Sequence, residues 1–276
     1  RGDVEVGAGA GLLPRFGALV GFGLVVEASS WLNEAGTGGA VLAFATGGVI
    51  MALVGLLYSE LTSAMPWAGG EHHYLMRGLG PRLALLGSWG ILGGYITVVA
   101  YEAVAIPNTV AYLFPQVYSV PLWEVAGSQV YLVWALIGVG AAVFLTWLNI
   151  RGIKPASLLQ SSVVLFLFVM ILVMVLASFT GGEPGHMEPV FTGGSAGIIA
   201  VLVVVPFFFV GFDVIPQSAE EVKLPPQKVG RLVVIAVLAA TAFYVAVVLT
   251  TSVALPASEL VDFELATADA FGVLMG

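Results

Sequence analysis

Residues 205–213 read Val205-Pro206-Phe207-Phe208-Phe209-Val210-Gly211-Phe212-Asp213 and lie within a long apolar stretch, Gly193–Ser218. Pro206 removes a backbone hydrogen-bond donor and crowds the preceding helical turn. Gly211 permits an unwound backbone, and Asp213 follows two residues later. This pattern predicts a helix that is interrupted partway through the apolar stretch, next to an acid.

A similar interruption occurs near the N-terminus, where the chain reads Leu19-Val20-Gly21-Phe22-Gly23-Leu24-Val25-Val26-Glu27. Gly21 and Gly23 each weaken a helix by up to about 1 kcal/mol relative to alanine. Glu27 follows one turn later. A lone glycine in a membrane helix usually serves close packing, but two interruptions that each lead to an acid favour a functional break.

The composition around these stretches is that of a polytopic membrane protein. Of the 276 residues, 59% are hydrophobic and 9% are charged, against about 25% charged in soluble domains. A soluble enzyme, a disordered chain and a coiled coil are therefore excluded. Bilayer spans need about 20 residues each. The predicted spans are Phe16–Leu32, Gly38–Ser59, Leu83–Leu113, Gln129–Ile150, Ala156–Phe179, Gly193–Ser218 and Leu232–Leu255.

The basic residues all fall on one side of these spans. They are Arg1, Arg15, Arg77, Arg82, Arg151, Lys154, Lys223, Lys228 and Arg231. The loops on the opposite side hold acids such as Glu34, Glu124 and Glu183. The positive-inside rule therefore predicts a multi-pass protein of the cytoplasmic membrane with its N-terminus in the cytoplasm.

The same topology makes span one run outward and span six run inward, as an inverted repeat of five helices requires. Unwinding frees backbone groups that lipid cannot satisfy. A substrate carboxylate would accept from N–H groups around Gly21–Leu24, and its ammonium would donate to carbonyls around Phe208–Gly211. The predicted substrate-binding residues are Gly21, Phe22, Gly23, Leu24, Phe207, Phe208, Phe209, Val210 and Gly211. At least two of the four phenylalanines in 207–212 are expected to serve packing alone.

Three acids lie inside the predicted spans: Glu27, Glu102 and Asp213. An acid inside a membrane costs a few kcal/mol and is a functional-site hypothesis by default. No Lys or Arg lies within the spans to pair with them. We predict that they handle protons or cations. A hydrogen-bonded structural acid is the alternative. The loop after span six is either a solvated turn of mixed charge or part of a cytoplasmic gate.

Several ordered motifs resemble one transporter family. They are Gly21-Phe22-Gly23, Tyr58-Ser59-Glu60-Leu61, Ala68-Gly69-Gly70, Arg77-Gly78-Leu79-Gly80-Pro81, Phe209-Val210-Gly211-Phe212-Asp213 and Ala219-Glu220-Glu221-Val222-Lys223-Leu224-Pro225. Over about residues 16–255 the chain is similar to the amino acid–polyamine–organocation superfamily, the bacterial amino acid permeases in particular. Phe22 departs from the small residue of many relatives, and span five lacks the lysine that some relatives use for coupling.

The resemblance implies an all-α, five-plus-five inverted-repeat fold with discontinuous helices 1 and 6, alternating access and, often, proton coupling. It places Phe207 at an aromatic gate and Asp213 at an acid that some relatives share. Residues 1–15 would be a cytoplasmic segment, 16–179 the first repeat and 193–255 the start of an incomplete second repeat. Residues 256–276 would lead, outside the cytoplasm, to a missing helix 8.

We therefore expect a secondary transporter of amino acids or related amines, not an enzyme. Its partners would be that substrate, a coupling proton (or another ion or exchange substrate) and the lipid bilayer. A zwitterionic amino acid would use the backbone groups at both breaks, whereas a cationic amine would depend more on the acids. No nucleic acid is expected at a net charge of −8, and no cofactor or metal is expected without cysteine and with histidines only in loops.

Two other classes of membrane protein compete with a transporter. A seven-helix receptor or photoreceptor fits the span count, but the charge bias puts this N-terminus on the opposite side, and span seven lacks a lysine for a retinal Schiff base. An intramembrane enzyme would need an embedded His, Cys or Ser–His pair, and the spans contain none.

Overall fold

The computed structural model describes residues 19, 21, 23–217, 226–256, 258–260 and 265–276. At residues 24, 153–154, 215–216 and 226–230 it describes the backbone alone. The helices are α1 (Gly23–Ala64), α2 (Glu71–Leu79), α3 (Pro81–Leu113), α4 (Leu132–Ile150), α5 (Ile153–Gly181), α6 (Gly194–Phe208), α7 (Val214–Gln217), α8 (Pro226–Ala254) and α9 (Ala266–Met275). Short 3-10 turns occupy Pro115–Val117 and Pro184–Met187. The helical membrane fold is as predicted.

A small β-hairpin, which the sequence analysis did not predict, precedes α4. Strand β1 (Pro121–Val125) pairs antiparallel with β2 (Ser128–Tyr131). The two residues between them, Ala126 and Gly127, have φ angles of 51° and 83°, as the tight turn of a two-residue hairpin requires. The predicted span four therefore starts as a helix at Leu132 and not at Gln129.

Predicted spans one and two form a helical hairpin within α1. Gly36 interrupts this helix with φ 71° and ψ 173°. The rings of Trp31 and Phe44 lie 4.6 Å apart, whereas thirteen residues of straight helix would separate them by about 20 Å. The two halves of α1 must therefore fold back on each other near Gly36, which agrees with the prediction of two separate spans.

Predicted span six is interrupted, as the proline and glycine pattern predicted. Helix α6 ends at Phe208, the chain turns through residues 209–213, and α7 resumes at Val214. Gly211 has a φ of 109°, which only glycine adopts easily. Among the described residues, five helices are long and apolar enough to cross a membrane. The break leaves α6 shorter than those five, although it is equally apolar.

The core lies where the two halves of α1 meet α6 and α8. The rings of Phe44 and Tyr244 stack at 5.2 Å, and Trp31 packs edge-on against Phe208 at 4.9 Å. Helices α3, α4 and α5 expose large apolar side chains, among them Leu86, Ile150 and Phe179. Such exposure is unfavourable in water and suits a lipid environment.

The bundle has two chemically different ends. At one end, α2 meets α7 through a hydrogen bond from the Gly69 N–H to the Gln217 carbonyl (3.3 Å). We call this the basic end, because Arg77 and Arg82 flank the end of α2. At the other, acidic end, residues 189–192 bind the turn of α1: the Gly38 N–H donates to the Val190 carbonyl at 2.7 Å.

Close backbone packing at the acidic end leads to a stability prediction. A Cβ added at Gly197 would lie 2.1 Å from the Glu34 carbonyl oxygen and 2.5 Å from that of Thr192. Neither backbone atom has room to move, so we expect Gly197→Ala to lower the free energy of unfolding by about 1–3 kcal/mol. Thermal unfolding in detergent measures this.

The matched control for Gly197→Ala is Gly93→Ala in α3. No atom lies within 4 Å of a Cβ at Gly93, and alanine is the better helix former. We expect this control to be neutral or slightly stabilising. Equal melting temperatures for the two variants would contradict the packing at Gly197.

Candidate functional site

A small inner cavity of about 50 Å³ lies between the start of α1 and the end of α6. The backbone here is irregular on both sides: Gly21 lies outside the helix, and α6 has just ended. The inner cavity is lined by Leu19, Gly21, Gly23, Val98, Tyr101, Glu102, Phe207, Phe208, Val210 and Tyr244.

Tyr244, on α8, connects the two breaks. Its side chain is fully buried, and its hydroxyl lies 3.1 Å from the carbonyl oxygens of both Leu19 and Phe208. A hydroxyl has a single hydrogen to donate, so it satisfies one of these carbonyls at a time. The other carbonyl is available to a second donor, such as an ammonium group in the cavity.

A larger outer cavity of about 500 Å³ continues from the inner one toward the acidic end. The two cavities share Tyr101, Phe207 and Phe208 in their walls. The outer cavity is lined by Glu27, Ser30, Trp31, Glu34, Tyr101, Ala200, Val201, Val203, Val204, Phe207 and Phe208.

Aromatic rings and one carboxyl group separate the two cavities. The rings of Tyr101 and Phe207 meet edge-on at 5.6 Å. The Tyr101 hydroxyl donates to Glu27 Oε1 at 3.1 Å. A molecule that passes from the outer to the inner cavity must therefore pass this carboxyl group and these rings.

The predicted substrate-binding residues fall into three groups. Gly21, Gly23, Phe207, Phe208 and Val210 line the inner cavity. Phe209 and Gly211 are buried away from its wall, and Phe209 packs against Tyr244 at a ring distance of 5.8 Å. Phe22 and the side chain of Leu24 lie outside the described residues.

The three acids that were predicted to lie within the membrane occupy three different places. Glu102 lines the inner cavity and Glu27 the outer one. Asp213 lines neither: it caps the break of span six by accepting from the Gly211 N–H at 3.2 Å. Asp213 also accepts from the Tyr95 hydroxyl at 2.7 Å and from Gln217 Nε2 at 2.8 Å.

Several residues of the site were not predicted from the sequence. Tyr101 and Tyr244 are the most informative, and each is a tyrosine in the middle of an apolar span. A buried tyrosine hydroxyl needs a partner, so these residues carried a usable signal. Trp31, Ser30 and Glu34 carried none, because their place in the wall depends on the fold-back of α1 at Gly36.

A helical bundle in which an interrupted helix borders a cavity is typical of secondary transporters. The family model described as amino acid permease matches residues 11–273. The chain therefore belongs to the amino acid permease family, in agreement with the resemblance to the amino acid–polyamine–organocation superfamily.

Individual relatives cover most of this chain. It is 25% identical over 248 residues to the methylthioribose transporter of Bacillus subtilis (88% of this chain, 54% of the relative). It is 26% identical over 254 residues to the lysine-specific permease LysP of Escherichia coli (87% and 49%). It is 23% identical over 250 residues to the branched-chain amino acid permease BcaP of Bacillus subtilis (88% and 53%). The chain spans about half the length of these relatives.

These relatives are transporters and permeases, which supports the prediction that the chain is not an enzyme. They do not favour the receptor or photoreceptor alternative. The names of the relatives include a lysine permease, a branched-chain amino acid permease and a methylthioribose transporter. Membership in the family therefore leaves the substrate to be argued from the lining of this chain's own cavities.

Proposed function

We propose that the full-length permease containing this chain transports cationic amino acids or amines by alternating access. The observation that carries this proposal is the charge of the cavity walls. Glu102 lines the inner cavity, Glu27 and Glu34 line the outer one, and no described Lys, Arg or His lines either. A carboxylate in a poorly hydrated site favours a positively charged ligand, because an opposite charge compensates its desolvation.

The cavity volumes support a substrate that occupies both compartments. The inner cavity has room for about one or two water molecules, each of which takes about 30 Å³. It therefore suits one small polar group of the substrate, such as an ammonium, next to the backbone carbonyls of Leu19 and Phe208. The outer cavity, at 500 Å³, is in the usual range for small-molecule pockets and would hold the cationic side chain near Glu27 and Glu34.

The arrangement of contacts supports an outward-facing state. The outer cavity extends toward the acidic end, while α2 and α7 close the basic end through Gln217. The positive-inside rule puts the basic end in the cytoplasm. In this proposal the protein lies in the cell membrane with a cytoplasmic N-terminus, and substrate enters from outside.

Coupling to a proton belongs to the same proposal. In this proposal Glu27 and Glu102 bind either a proton or the substrate cation, which their position in the cavity walls supports. Asp213 sits apart from them, in hydrogen bonds to Tyr95 and Gln217. A proton at Asp213 would therefore act on the basic end and not on the substrate.

A competition assay tests the substrate class. The full-length permease is reconstituted in proteoliposomes, and uptake of labelled lysine is measured in the presence of unlabelled lysine, putrescine or leucine. We expect lysine and putrescine to compete and leucine to compete weakly, since leucine has no second positive charge for Glu27 and Glu34. Equal competition by leucine would favour a zwitterionic substrate. The absence of lysine uptake would contradict the proposed substrate class.

A further inference from the structure

A buried polar network at the basic end lies outside the candidate substrate site. Glu71 is the first residue of α2 and is only 5% exposed. Asp213, in the break of span six, is 8% exposed. The Gln217 side-chain amide lies between them, with Nε2 at 3.2 Å from Glu71 Oε2 and 2.8 Å from Asp213 Oδ2.

The shared amide brings two carboxyl groups close together. Because one nitrogen is within hydrogen-bond distance of both, the two bonded oxygens are at most about 6 Å apart, a distance at which like charges disfavour each other. The amide is neutral and cancels neither charge. No described Lys, Arg or His forms a salt bridge with either carboxyl group.

If Glu71 and Asp213 were both ionised, this network would leave the second carboxylate oxygen of Glu71 without a partner. Glu71 Oε1 is buried, and within the described part of the chain it has no hydrogen-bond partner. An unpartnered oxygen of a buried carboxylate is expensive, whereas the neutral acid avoids most of that cost. This oxygen is therefore the atom of the network at which a bound proton would most reduce the cost of burial.

Within the described part of the chain, the groups that act on the Glu71 carboxyl group are the Tyr58 hydroxyl, the Gln217 amide and the Asp213 carboxyl group. Tyr58 on α1 interacts with its carboxyl group without a hydrogen bond of normal geometry. Tyr95 on α3 donates to Asp213. On α2 itself, the Tyr74 hydroxyl is paired with Thr62, His72 Nδ1 with the Ser88 hydroxyl, and the His73 ring packs on Trp67.

We propose that Glu71 and Asp213 form a carboxyl pair that holds one proton, and that this proton keeps the basic end closed. Glu71 carries the proton, the nearby Asp213 charge favours it there, and Gln217 donates to both members of the pair. This inference rests on the proposed alternating-access function and gives it a coupling site. It gives Glu71 the role of holding the proton that keeps the basic end closed, a role that Glu27, Glu102 and Asp213 alone do not provide.

The surroundings of Glu71 favour its protonated form. Burial raises the pKa of its carboxyl group from 4.5 to about 7, and the nearby Asp213 charge also raises it. Its own backbone N–H, Gln217 and Tyr58 oppose the rise. With the pKa raised in the closed state, closure is most favoured below pH 4.5, and that advantage is lost as the pH rises to about 7.

The proposal links proton release to opening. When α2 and α7 separate, water reaches the Glu71 carboxyl group and Asp213 moves away from it. Both causes of the raised pKa then disappear, and the proton dissociates into the aqueous phase at the basic end. A proton bound in the closed state is thereby released on the cytoplasmic side with each opening.

Infrared difference spectroscopy on the purified full-length permease tests the pair directly. The stretching band of a neutral carboxyl group reports a protonated acid without requiring transport. We expect such a band to titrate at a pH of about 7 and to disappear in Glu71→Gln. In Asp213→Asn the remaining Glu71 band should titrate at a lower pH, because the neighbouring negative charge is gone.

Three further variants make the result decisive. Glu60→Gln removes an exposed acid at the same end of the bundle and should leave the band unchanged, while Glu71→Asp should retain a titrating band. An unchanged band in Glu71→Gln, or one that disappears in Glu27→Gln instead, would overturn the proposal. Uptake of lysine is measured separately, so a failure of the transport proposal is distinguishable from a failure of the carboxyl pair.

Discussion

Glu27→Gln should lower the affinity for lysine by about ten- to a hundredfold. A hydrogen bond to a charged group contributes about 1.5–3 kcal/mol, and each 1.4 kcal/mol is about a factor of ten in affinity. Glutamine has the size of glutamate, and its carbonyl oxygen still accepts from the Tyr101 hydroxyl, which bonds Glu27 at 3.1 Å. The substitution therefore removes the negative charge and little else. Equilibrium binding of labelled lysine to the purified full-length permease measures the loss.

Two comparisons test whether the lost charge of Glu27 causes the loss of lysine affinity. Glu60→Gln removes a negative charge from the basic end of the same helix, far from the cavity walls, and should leave lysine binding unchanged. Leucine, used as a neutral competitor, should bind no worse to Glu27→Gln than to the unmodified protein. A parallel loss of lysine and leucine affinity would show that Glu27 supports the fold of the site and not its selectivity.

The positions of the acids also suggest where a substrate cation and a proton bind. In the structure, Glu27 and Glu102 line cavities that a substrate cation would occupy, while Asp213 lies with Glu71 at the basic end. This separation allows a substrate cation and a proton to bind the same protein without competing for one carboxylate. The sequence alone placed all three acids in the membrane but did not separate them.

Local chemistry made the interruption of span six predictable. Pro206 and Gly211 act on the backbone within a few residues, and the structure has α6 ending at Phe208 and Gly211 at a φ of 109°. The span pattern was predictable for a similar reason, since hydropathy is a local property. The hairpin before α4 was missed because its strands are short and exposed.

Contacts between distant residues were not predictable from one sequence. The bond between Gln217 and Glu71 joins residues 146 positions apart, and the one between Tyr244 and Leu19 spans 225 positions. No periodicity or spacing reports such pairs. They depend on how the spans pack, which in turn depends on turns such as Gly36. The walls of the cavities therefore became known only from the fold, whereas the break in span six did not require it.

Gly23→Leu should abolish substrate binding while leaving the protein inserted in the membrane. A Cβ at Gly23 would lie 2.8 Å from Cε1 of Phe208 and 3.2 Å from Cε1 of Tyr101. Both rings line the inner and the outer cavity, so a leucine side chain must push them aside or fill the inner cavity itself. At about 50 Å³, that cavity cannot hold the leucine side chain and a polar group of the substrate together. We expect lysine affinity to fall by more than about a hundredfold, the equivalent of about 2.7 kcal/mol.

The loss is measured as the disappearance of the thermal stabilisation that lysine gives the detergent-purified permease, because a ligand that binds only the folded state raises its melting temperature. Leucine is more apolar and a better helix former than glycine, so weaker insertion does not explain a loss of binding. Gly93→Leu, on an exposed face of α3 with no atom within 4 Å of the added Cβ, is the matched control and should keep the full stabilisation. Gly23→Ala should give an intermediate loss, since its Cβ meets the Phe208 ring but leaves most of the cavity open. Full stabilisation by lysine in Gly23→Leu would mean that the substrate binds elsewhere, and the outer cavity beside Glu27 and Glu34 would then have to hold the whole molecule.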